Sequence, residues 1–247
     1  MRELWREFRQ EIAGLVLPSA CAGCGLPRVR GELCGACGAL LRGAVPRRVR
    51  PSPVPPGLPA VYAAMPYADE IRAVLLAHKE RGALRLAAPL GAVLAAAVRT
   101  ACGGPPGRRT RGPLTLVPVP SARRAVAVRG HDPVRRIAVS AARELRRGGL
   151  AVRTLNVLRQ CRPVVDQAGL TASGRLANLS GALELVPGSG RLLTCGETVL
   201  VDDLTTTGAS LAEAARCVDE QVRNVTVAAV VAFRPRNGSA SSGNREK

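Results

Sequence analysis

The segment of the chain best suited to chemistry is 198–210, which reads Thr-Val-Leu-Val-Asp-Asp-Leu-Thr-Thr-Thr-Gly-Ala-Ser. Its apolar start predicts a short buried strand. Asp202 and Asp203 follow at the end of that strand, where open α/β sheets bind their ligands. Residues 205–210 then supply hydroxyls and backbone N–H groups at the start of an alanine-rich helix, which is a typical anion site. Carboxylates suited to sugar hydroxyls, beside N–H groups suited to a phosphate, predict a phosphorylated sugar as the ligand.

An ordinary strand, turn and capped helix is the alternative interpretation of this segment. That interpretation explains a threonine or serine cap. It does not explain two adjacent acids, because their mutual repulsion is costly without a cation or donors nearby. The chain also has neither a Gly-Lys-Ser/Thr phosphate loop nor a Gly-x-Gly-x-x-Gly fingerprint. A nucleoside triphosphatase or a dinucleotide-dependent dehydrogenase is therefore disfavoured.

Two Cys-x-x-Cys pairs lie close together near the start of the chain, at Cys21 and Cys24 and at Cys34 and Cys37. Such pairs bring four thiolates within tetrahedral reach of one Zn²⁺. Two redox-active or free dithiols are the alternative, but the compact spacing favours metal. A site closed by four sulfurs leaves no coordination position open, so we expect this zinc to be structural.

Composition limits the fold and the partners. A chain of 247 residues is long enough for one substantial domain and a small one. Its hydrophobic content is 47% with only 2% aromatic residues, so the core must consist of leucine, valine and alanine, as in a parallel sheet covered by helices. The formal net charge of +18 implies acidic partners, namely phosphorylated metabolites, nucleic acid or both.

The alternation of strand and helix patterns predicts an α/β fold with a parallel sheet. We expect strands near 61–68, 114–119, 150–158, 198–202 and 225–232, and helices over 69–81, 83–101, 132–147 and 208–222. Residues 159–182 are expected to form a long loop or lid. The predicted organisation is an N-terminal helix and four-cysteine zinc module (1–42), an extended Pro- and Arg-rich linker (43–60), the α/β domain (61–234) and a disordered tail (235–247).

The apolar stretches do not predict membrane insertion. Residues 1–17 form a charged, amphipathic pattern rather than a leader. The alanine-rich stretch 83–101 contains Arg85, Pro89 and Arg99, which disfavours a membrane span. We therefore expect a cytoplasmic protein, in which clustered cysteines bind metal rather than form disulfides.

The acid pair and the Thr-Thr-Gly turn resemble the phosphoribosyl-diphosphate (PRPP) loop of type I phosphoribosyltransferases. Over residues 10–234, the chain is similar to the ComF family of phosphoribosyltransferase-like competence proteins. Besides the cysteine pairs and the loop, the similarity rests on Tyr67 through Lys79 and Gly82, on the Pro-Val-Pro run and Arg129-Gly130, on the Gln/Arg/Asn block from Arg162 to Asn178, and on Gly181-Ala182-Leu183. The resemblance implies a type I phosphoribosyltransferase-like parallel sheet with flanking helices and a small N-terminal zinc-binding module.

The resemblance also implies roles for individual residues. Asp202 and Asp203 would accept hydrogen bonds from the ribose hydroxyls, directly or through Mg²⁺, and Arg162 and Arg175 would close over the pyrophosphate. The expected catalytic residues are Asp202, Asp203 and Arg175. The expected PRPP-binding residues are Lys79, Val119, Pro120, Ser121, Arg162, Thr205, Thr206, Thr207, Gly208, Ala209 and Ser210. Lys79 would place a point charge on phosphate, although a solvated lysine at a helix end fits the sequence equally well. His78 and His131 fit packing or turn roles better than that of a base.

Two functions agree with this pattern. The first is an enzyme that transfers the phosphoribosyl group of PRPP to an unknown nitrogenous acceptor, which would make it a glycosyltransferase. The second, which the family resemblance implies, is a non-catalytic or sensor-type PRPP-binding protein that supports DNA uptake in natural transformation. It would bind single-stranded DNA through the zinc module, the net positive charge and the Pro- and Arg-rich linker with Arg47, Arg48 and Arg50, or act on competence and recombination proteins. Aromatic residues for base stacking are scarce, but phosphate contacts alone give salt-sensitive binding.

Overall fold

The computed structural model describes residues 20–103, 112–164, 172–222 and 225–235. The predicted helix over 1–17 and nearly all of the predicted tail lie outside these ranges. The strands are β1 (Arg47–Val49), β2 (Val61–Pro66), β3 (Leu114–Pro118), β4 (Val152–Thr154), β5 (Leu158–Gln160), β6 (Leu183–Leu185), β7 (Glu197–Thr205) and β8 (Val225–Phe233). The α-helices are α1 (Gly35–Arg42), α2 (Asp69–Glu80), α3 (Ala87–Ala101), α4 (Arg123–Arg129), α5 (Pro133–Arg147), α6 (Ala172–Leu179) and α7 (Ala209–Asp219).

A six-stranded sheet in the order β1-β2-β8-β7-β3-β4 forms the centre of the fold. All of its neighbouring strands run parallel except β1, which pairs antiparallel with β2 at one edge. The prediction of an α/β fold with a mostly parallel sheet flanked by helices is therefore confirmed. Strands β5 and β6 form a separate antiparallel hairpin.

Each face of the sheet carries its own core of leucine, valine and alanine. On one face, Val199 and Val201 of β7 pack with α2, α3 and α5. On the other face, Leu200 packs with α7 and the β5–β6 hairpin. Because successive side chains of a strand point to opposite faces, an uninterrupted apolar run is what a strand covered on both sides requires.

The chain leaves two neighbouring strands in opposite directions. From β3 it passes through α4 and α5 to β4, whereas from β7 it passes through α7 to β8 on the other side. The helices α5 and α7 thus cover opposite faces, and a crevice opens between the carboxyl ends of β3 and β7. Ligands of open α/β sheets bind at such a switch point.

The segment predicted as an extended linker belongs to the sheet in part. Residues 47–49 form β1 and pair with β2. Further along the same segment, the side chains of Pro51 and Leu58 lie against Gly208. A three-residue strand rich in arginine shows no period of its own in the sequence, so only its pairing partner reveals it.

The segment 159–182, predicted as a loop, is also more regular than expected. Its first residues belong to β5, which pairs with β6, and α6 lies between the two strands. Residues 165–171, which include part of the Gln/Arg/Asn block, lie outside the described residues. Short strands that pair with each other across a long insertion leave little trace in sequence periodicity.

One helical stretch of the described chain, Leu84–Ala101, is long and apolar enough to cross a membrane by length and composition. It comprises a short 3₁₀ turn and α3. In this fold it lies in the core, because Leu86, Leu90, Leu94 and Val98 are fully buried and α3 packs on α5 and the sheet.

Candidate functional site

The crevice between β3 and β7 encloses a cavity of about 560 Å³. Its lining combines carboxylates, hydroxyls, one lysine and a few apolar side chains. The lining residues are Tyr67, Lys79, Val119, Pro120, Ser121, Val134, Asp202, Asp203, Leu204, Thr205, Thr206, Thr207, Gly208, Ala209 and Ser210. The structure therefore brings the predicted acid pair, the threonine-rich loop, the end of β3 and the predicted lysine together in one cavity.

The loop between β7 and α7 is shorter than the sequence suggested. Strand β7 continues to Thr205, and α7 begins at Ala209, so the two acids lie within the strand rather than after it. Gly208 caps the helix with a left-handed φ of 76°, and a Cβ at this position would lie 2.9 Å from Leu58 Cδ2. The left-handed backbone favours glycine, and a side chain here would also displace the Leu58 side chain. Gly208, Ala209 and Ser210 at the start of α7 line the cavity, and the first N–H groups of a helix are typical donors to anions. In this structure the Ala209 N–H donates to Thr207 Oγ1 at 3.4 Å.

The adjacent acids of β7 differ in their surroundings. Asp203 is buried, with 6% of its surface exposed, and Asp202 is half-buried. The backbone N–H of Asp203 donates a hydrogen bond to Asp202 Oδ1 at 2.8 Å. Burial, and secondly the negative charge of Asp203, raises the pKa of Asp202 well above its usual range. The pair stores electrostatic repulsion that hydrogen-bond donors or a cation would relieve.

Lys79 supplies a cation to this pair. Its Nζ lies 3.5 Å from Asp203 Oδ2, and the charge of Asp203 raises the pKa of Lys79 although burial opposes this shift. Of the described residues that line the cavity, Lys79 is the only basic one. The lysine thus lies in the cavity, but it contacts Asp203, which the sequence did not predict.

Contacts on both sides of Lys79 fix the last turn of α2. Arg129 Nε pairs with Glu80 Oε2 at 3.0 Å. The His78 ring is fully buried, with its nitrogens 3.3 Å from the Ala83 carbonyl and 3.4 Å from that of Pro133. Burial lowers the pKa of His78. The end of α2 is therefore held by α4 and by the start of α5.

The end of β3 is anchored to α5. The Val119 N–H donates to the Val201 carbonyl at 2.9 Å, and Ser121 Oγ donates to Asp132 Oδ1 at 3.4 Å. The same carboxylate oxygen accepts the Arg135 N–H at 3.1 Å and caps α5, as predicted for Asp132. His131 contacts backbone carbonyls through both ring nitrogens, which fits a packing role.

Arg162, one of the two predicted arginines, contacts backbone carbonyls instead of the cavity. Arg162 donates from Nη2 to the Asn178 carbonyl at 3.0 Å and to the Ser180 carbonyl at 2.6 Å. It therefore closes the end of α6 and is not among the residues that line the cavity. Arg175 lies on α6, but its side chain lies outside the described parts of the structure. Partners that are backbone carbonyls cannot be recognised from sequence, which explains the assignment of Arg162 to the ligand.

Three cavity residues had no individual role in the prediction, namely Tyr67, Val134 and Leu204. Tyr67 follows β2, where its N–H donates to the Phe233 carbonyl at 2.9 Å. Its position directly after a predicted strand was the available signal, since side chains at carboxyl ends of parallel strands meet at one edge of the sheet.

The four cysteines of the paired motifs form one cluster, with their sulfur atoms all within 4.8 Å of one another. The Cys24 and Cys34 sulfurs are 3.6 Å apart, close to the about 3.8 Å that tetrahedral Zn–S bonds require. A Cβ at Gly23 would lie 2.8 Å from Cys37 Sγ, so the knuckle is shaped around sulfur. The cluster could therefore hold a metal ion such as zinc.

The electrostatics of the cluster agree with a cation site. Burial alone would raise the pKa of Cys21, but backbone N–H groups, led by that of Cys34, lower it to about 6. Burial and the neighbouring thiols raise the pKa of Cys37 to about 12. Four thiolates in such a space require a positive ion among them. The module packs against α3, where Leu41 of α1 joins the core.

A larger cavity of about 980 Å³ lies between α6 and α7, but its acids already have partners. Arg216 contacts Glu213 at 2.7 Å and Glu220 at 2.6 Å. Asp219 Oδ1 accepts the Val225 N–H at 3.1 Å. This cavity also lies away from the threonine-rich loop and the end of β3.

No model of a known protein family matches the chain, and no curated protein matches it closely enough to count as a relative. Function is therefore inferred from the geometry and chemistry of the site.

Proposed function

We propose that the chain is a type I phosphoribosyltransferase-like protein of the ComF kind that binds PRPP in the cavity between β3 and β7. One observation carries the proposal: Asp202, Asp203, the 206–208 loop and the end of β3 line the same cavity at a switch point of the sheet. Carboxylates, N–H groups at a helix start and the end of β3 match the three parts of PRPP, namely the ribose, the 5′-phosphate and the diphosphate. The type I phosphoribosyltransferase fold and membership of the ComF family are both part of this proposal.

In this role the acid pair accepts hydrogen bonds from the ribose 2′- and 3′-hydroxyls. The loop and the start of α7 donate N–H and hydroxyl hydrogens to the 5′-phosphate, and the helix dipole adds to the attraction. The pyrophosphate lies near Val119, Pro120 and Ser121. Transfer to a nitrogenous acceptor would break the bond between C1 and the pyrophosphate oxygen and form a C1–N bond. Positioning and charge stabilisation supply most of the catalysis for such a displacement.

Two metal ions accompany the proposal. Zinc would bind to Cys21, Cys24, Cys34 and Cys37 and stabilise the fold of the module. Mg²⁺ would accompany PRPP, because pyrophosphate and carboxylate oxygens are the ligands it prefers. Mg²⁺ would neutralise charge on the leaving group, while the protein's own residues bind and orient the ribose.

Binding of single-stranded DNA in support of DNA uptake is the second candidate function, and it has its own observation. Arg85, Arg135, Arg136 and Arg143 line a groove of about 660 Å³ beside α5. The acid that lines this groove among the described residues, Asp132, already caps the helix. Such a surface suits phosphates without regard to sequence. A cytoplasmic protein of this kind would act with competence and recombination proteins.

Calorimetric titration with PRPP and Mg²⁺ tests the first proposal. The double variant Asp202→Asn/Asp203→Asn should lose binding by about 100-fold or more while keeping its zinc content and circular dichroism spectrum. Glu144→Gln, at a half-buried acid on α5 that does not line the cavity, serves as the matched control and should bind like the wild type. Unchanged affinity of the double variant would refute the site. A pyrophosphate-release assay on the same samples, with candidate acceptors added, separates an enzyme from a sensor.

A further inference from the structure

The charged side chains of the cavity indicate which cation lies beside its acid pair. Within the described residues its charged lining side chains are Asp202, Asp203 and Lys79. The Lys79 side chain is 38% exposed, whereas that of Asp203 is 8% exposed. The ammonium thus approaches a buried carboxylate from the open side of the cavity, where a metal ion would have to approach it.

Lys79 is not free to leave this place without cost. The residues on either side of it are fixed, Glu80 by Arg129 and His78 by its burial against the start of α5. A divalent ion bound to Asp203 would lie within a few ångströms of the ammonium, and like charges at that distance repel strongly in a partly buried site. The two cations therefore compete for the same carboxylate.

We propose that Lys79 is the built-in counter-cation of the acid pair, and that the ligand-free protein does not hold a divalent ion on Asp202 and Asp203. An ammonium has three N–H donors, and the single contact with Asp203 does not use all of them. Lys79 therefore also bridges the acid pair to an anionic oxygen of the ligand, a step that rests on the proposed function.

Titration of the ligand-free, zinc-loaded protein with Mn²⁺, followed by electron paramagnetic resonance, tests the counter-cation. Mn²⁺ is the weakest binder among the first-row divalent ions and does not displace zinc from thiolates. Lys79→Met should gain a Mn²⁺ site at least about tenfold tighter than any in the wild type, and Lys79→Met/Asp203→Asn should lose it. Arg72→Met, an exposed change on the same helix, should behave like the wild type. A wild-type Mn²⁺ site that Asp203→Asn removes would overturn the proposal, as would a Lys79→Met variant without one.

Calorimetry with ribose 5-phosphate, with and without Mg²⁺ and without chelator, tests the bridging step. The wild type should bind equally in both buffers. Lys79→Met should bind at least about tenfold more weakly without Mg²⁺ and recover in part with it. Binding by Lys79→Met as tight as that of the wild type without Mg²⁺ would refute the bridge. Absence of wild-type binding to both ribose 5-phosphate and PRPP would refute the proposed function, whereas the Mn²⁺ result stands or falls independently. Lys79→Gln replaces the methionine variant if the latter does not fold.

Discussion

Glu213 joins the helix after the threonine-rich loop to the hairpin that covers the sheet: its Oε1 accepts the backbone N–H of Leu183 at 3.2 Å. The carboxylate is buried, and Arg216 donates to both of its oxygens at 2.7 and 2.8 Å. This one side chain therefore fixes α7 relative to β6. The start of α7, which lines the cavity, depends on that attachment.

Removing this carboxylate should destabilise the fold. Glu213→Ala leaves the buried Leu183 N–H without its acceptor, and we expect the free energy of unfolding to fall by about 2 to 3 kcal/mol. Glu220→Ala removes the other, exposed partner of Arg216 and should cost less than about 0.5 kcal/mol. Urea denaturation measures both variants. Equal losses would show that the hairpin attachment contributes nothing.

The same residue should make stability depend on pH. Burial raises the pKa of Glu213, but the hydrogen bonds from Arg216 and Leu183 outweigh it and lower the pKa below the ordinary value of 4.5. A lowered pKa stabilises the fold above pH 4.5, and this stabilisation is lost as the pH falls through the folded pKa. Glu213→Gln should therefore show a flatter stability profile below pH 4.5. A profile as steep as that of the wild type would contradict this.

Asp202 should have the opposite effect on the pH dependence of stability. Its pKa is raised, so its contribution to stability is greatest below the ordinary value of 3.8 and is lost as the pH rises through the folded pKa. Asp202→Asn should therefore be more stable than the wild type at neutral pH, in the same variant that binds ligand less well. Thermal unfolding at pH 7 checks the direction, and a lower melting temperature would refute it.

Two glycines with a left-handed backbone allow the cost of backbone strain to be measured apart from the cost of side-chain crowding. Gly57 and Gly208 have φ values of 71° and 76°, but a Cβ at Gly57 meets nothing within 4 Å, whereas one at Gly208 would strike Leu58. Gly57→Ala should cost about 1 to 2 kcal/mol from backbone strain alone. Gly208→Ala should cost more and also weaken PRPP binding, because the side chains of Leu58 and Pro51 that pack on the loop must shift as well. Equal effects in urea denaturation and calorimetry would remove the crowding argument.

The cysteine cluster should account for all tightly bound zinc. Cys24→Ser should abolish zinc binding in elemental analysis and lower thermal stability, because metal binding and folding of such modules are coupled. Cys195→Ser, an exposed cysteine outside the cluster, should retain the wild-type zinc content. Zinc retained in Cys24→Ser would show that the metal binds elsewhere.

Single-stranded DNA binding distinguishes two arginine surfaces. Replacing Arg135, Arg136 and Arg143 by alanine should reduce the slope of log affinity against log salt by about 2, the value for three lost phosphate contacts. The sequence instead favoured Arg47, Arg48 and Arg50, which lie on or next to β1. The same triple change there should leave the slope nearly unchanged if the groove binds DNA. The reverse outcome would assign binding to the edge of the sheet.

The parts of the fold that were predictable are those with long local patterns. Three such patterns could be predicted because each depends on residues that are close in the sequence. They are the apolar run in β7, the helical spacing of apolar residues in α5 and the Asp132 cap. Strand β1 and the β5–β6 hairpin were missed, because three-residue strands exist only through partners far along the chain. Because β7 is buried on both faces, it continues to Thr205, three residues beyond the predicted end at residue 202.

The candidate site was also predictable only where its residues lie close together in the sequence. Asp202, Asp203 and the loop form one contiguous motif, so their meeting in one cavity follows from a single strand and helix. The contact between Lys79 and Asp203 joins residues from distant elements, so the sequence assigned the lysine to phosphate and not to an acid. Arg162 has the charge that a ligand needs, but only the folded chain shows that carbonyl groups already occupy its donors.

The arginines of β1 have a consequence for how copies of the chain meet. A strand at the edge of a sheet exposes unpaired backbone groups that can template a strand from another molecule. Here the edge is only three residues long, and Arg47 and Arg48 are exposed on it. An approaching copy would bring its own pair of arginines against these two. The edge of the sheet therefore resists intermolecular strand addition, the first step of aggregation by edge pairing.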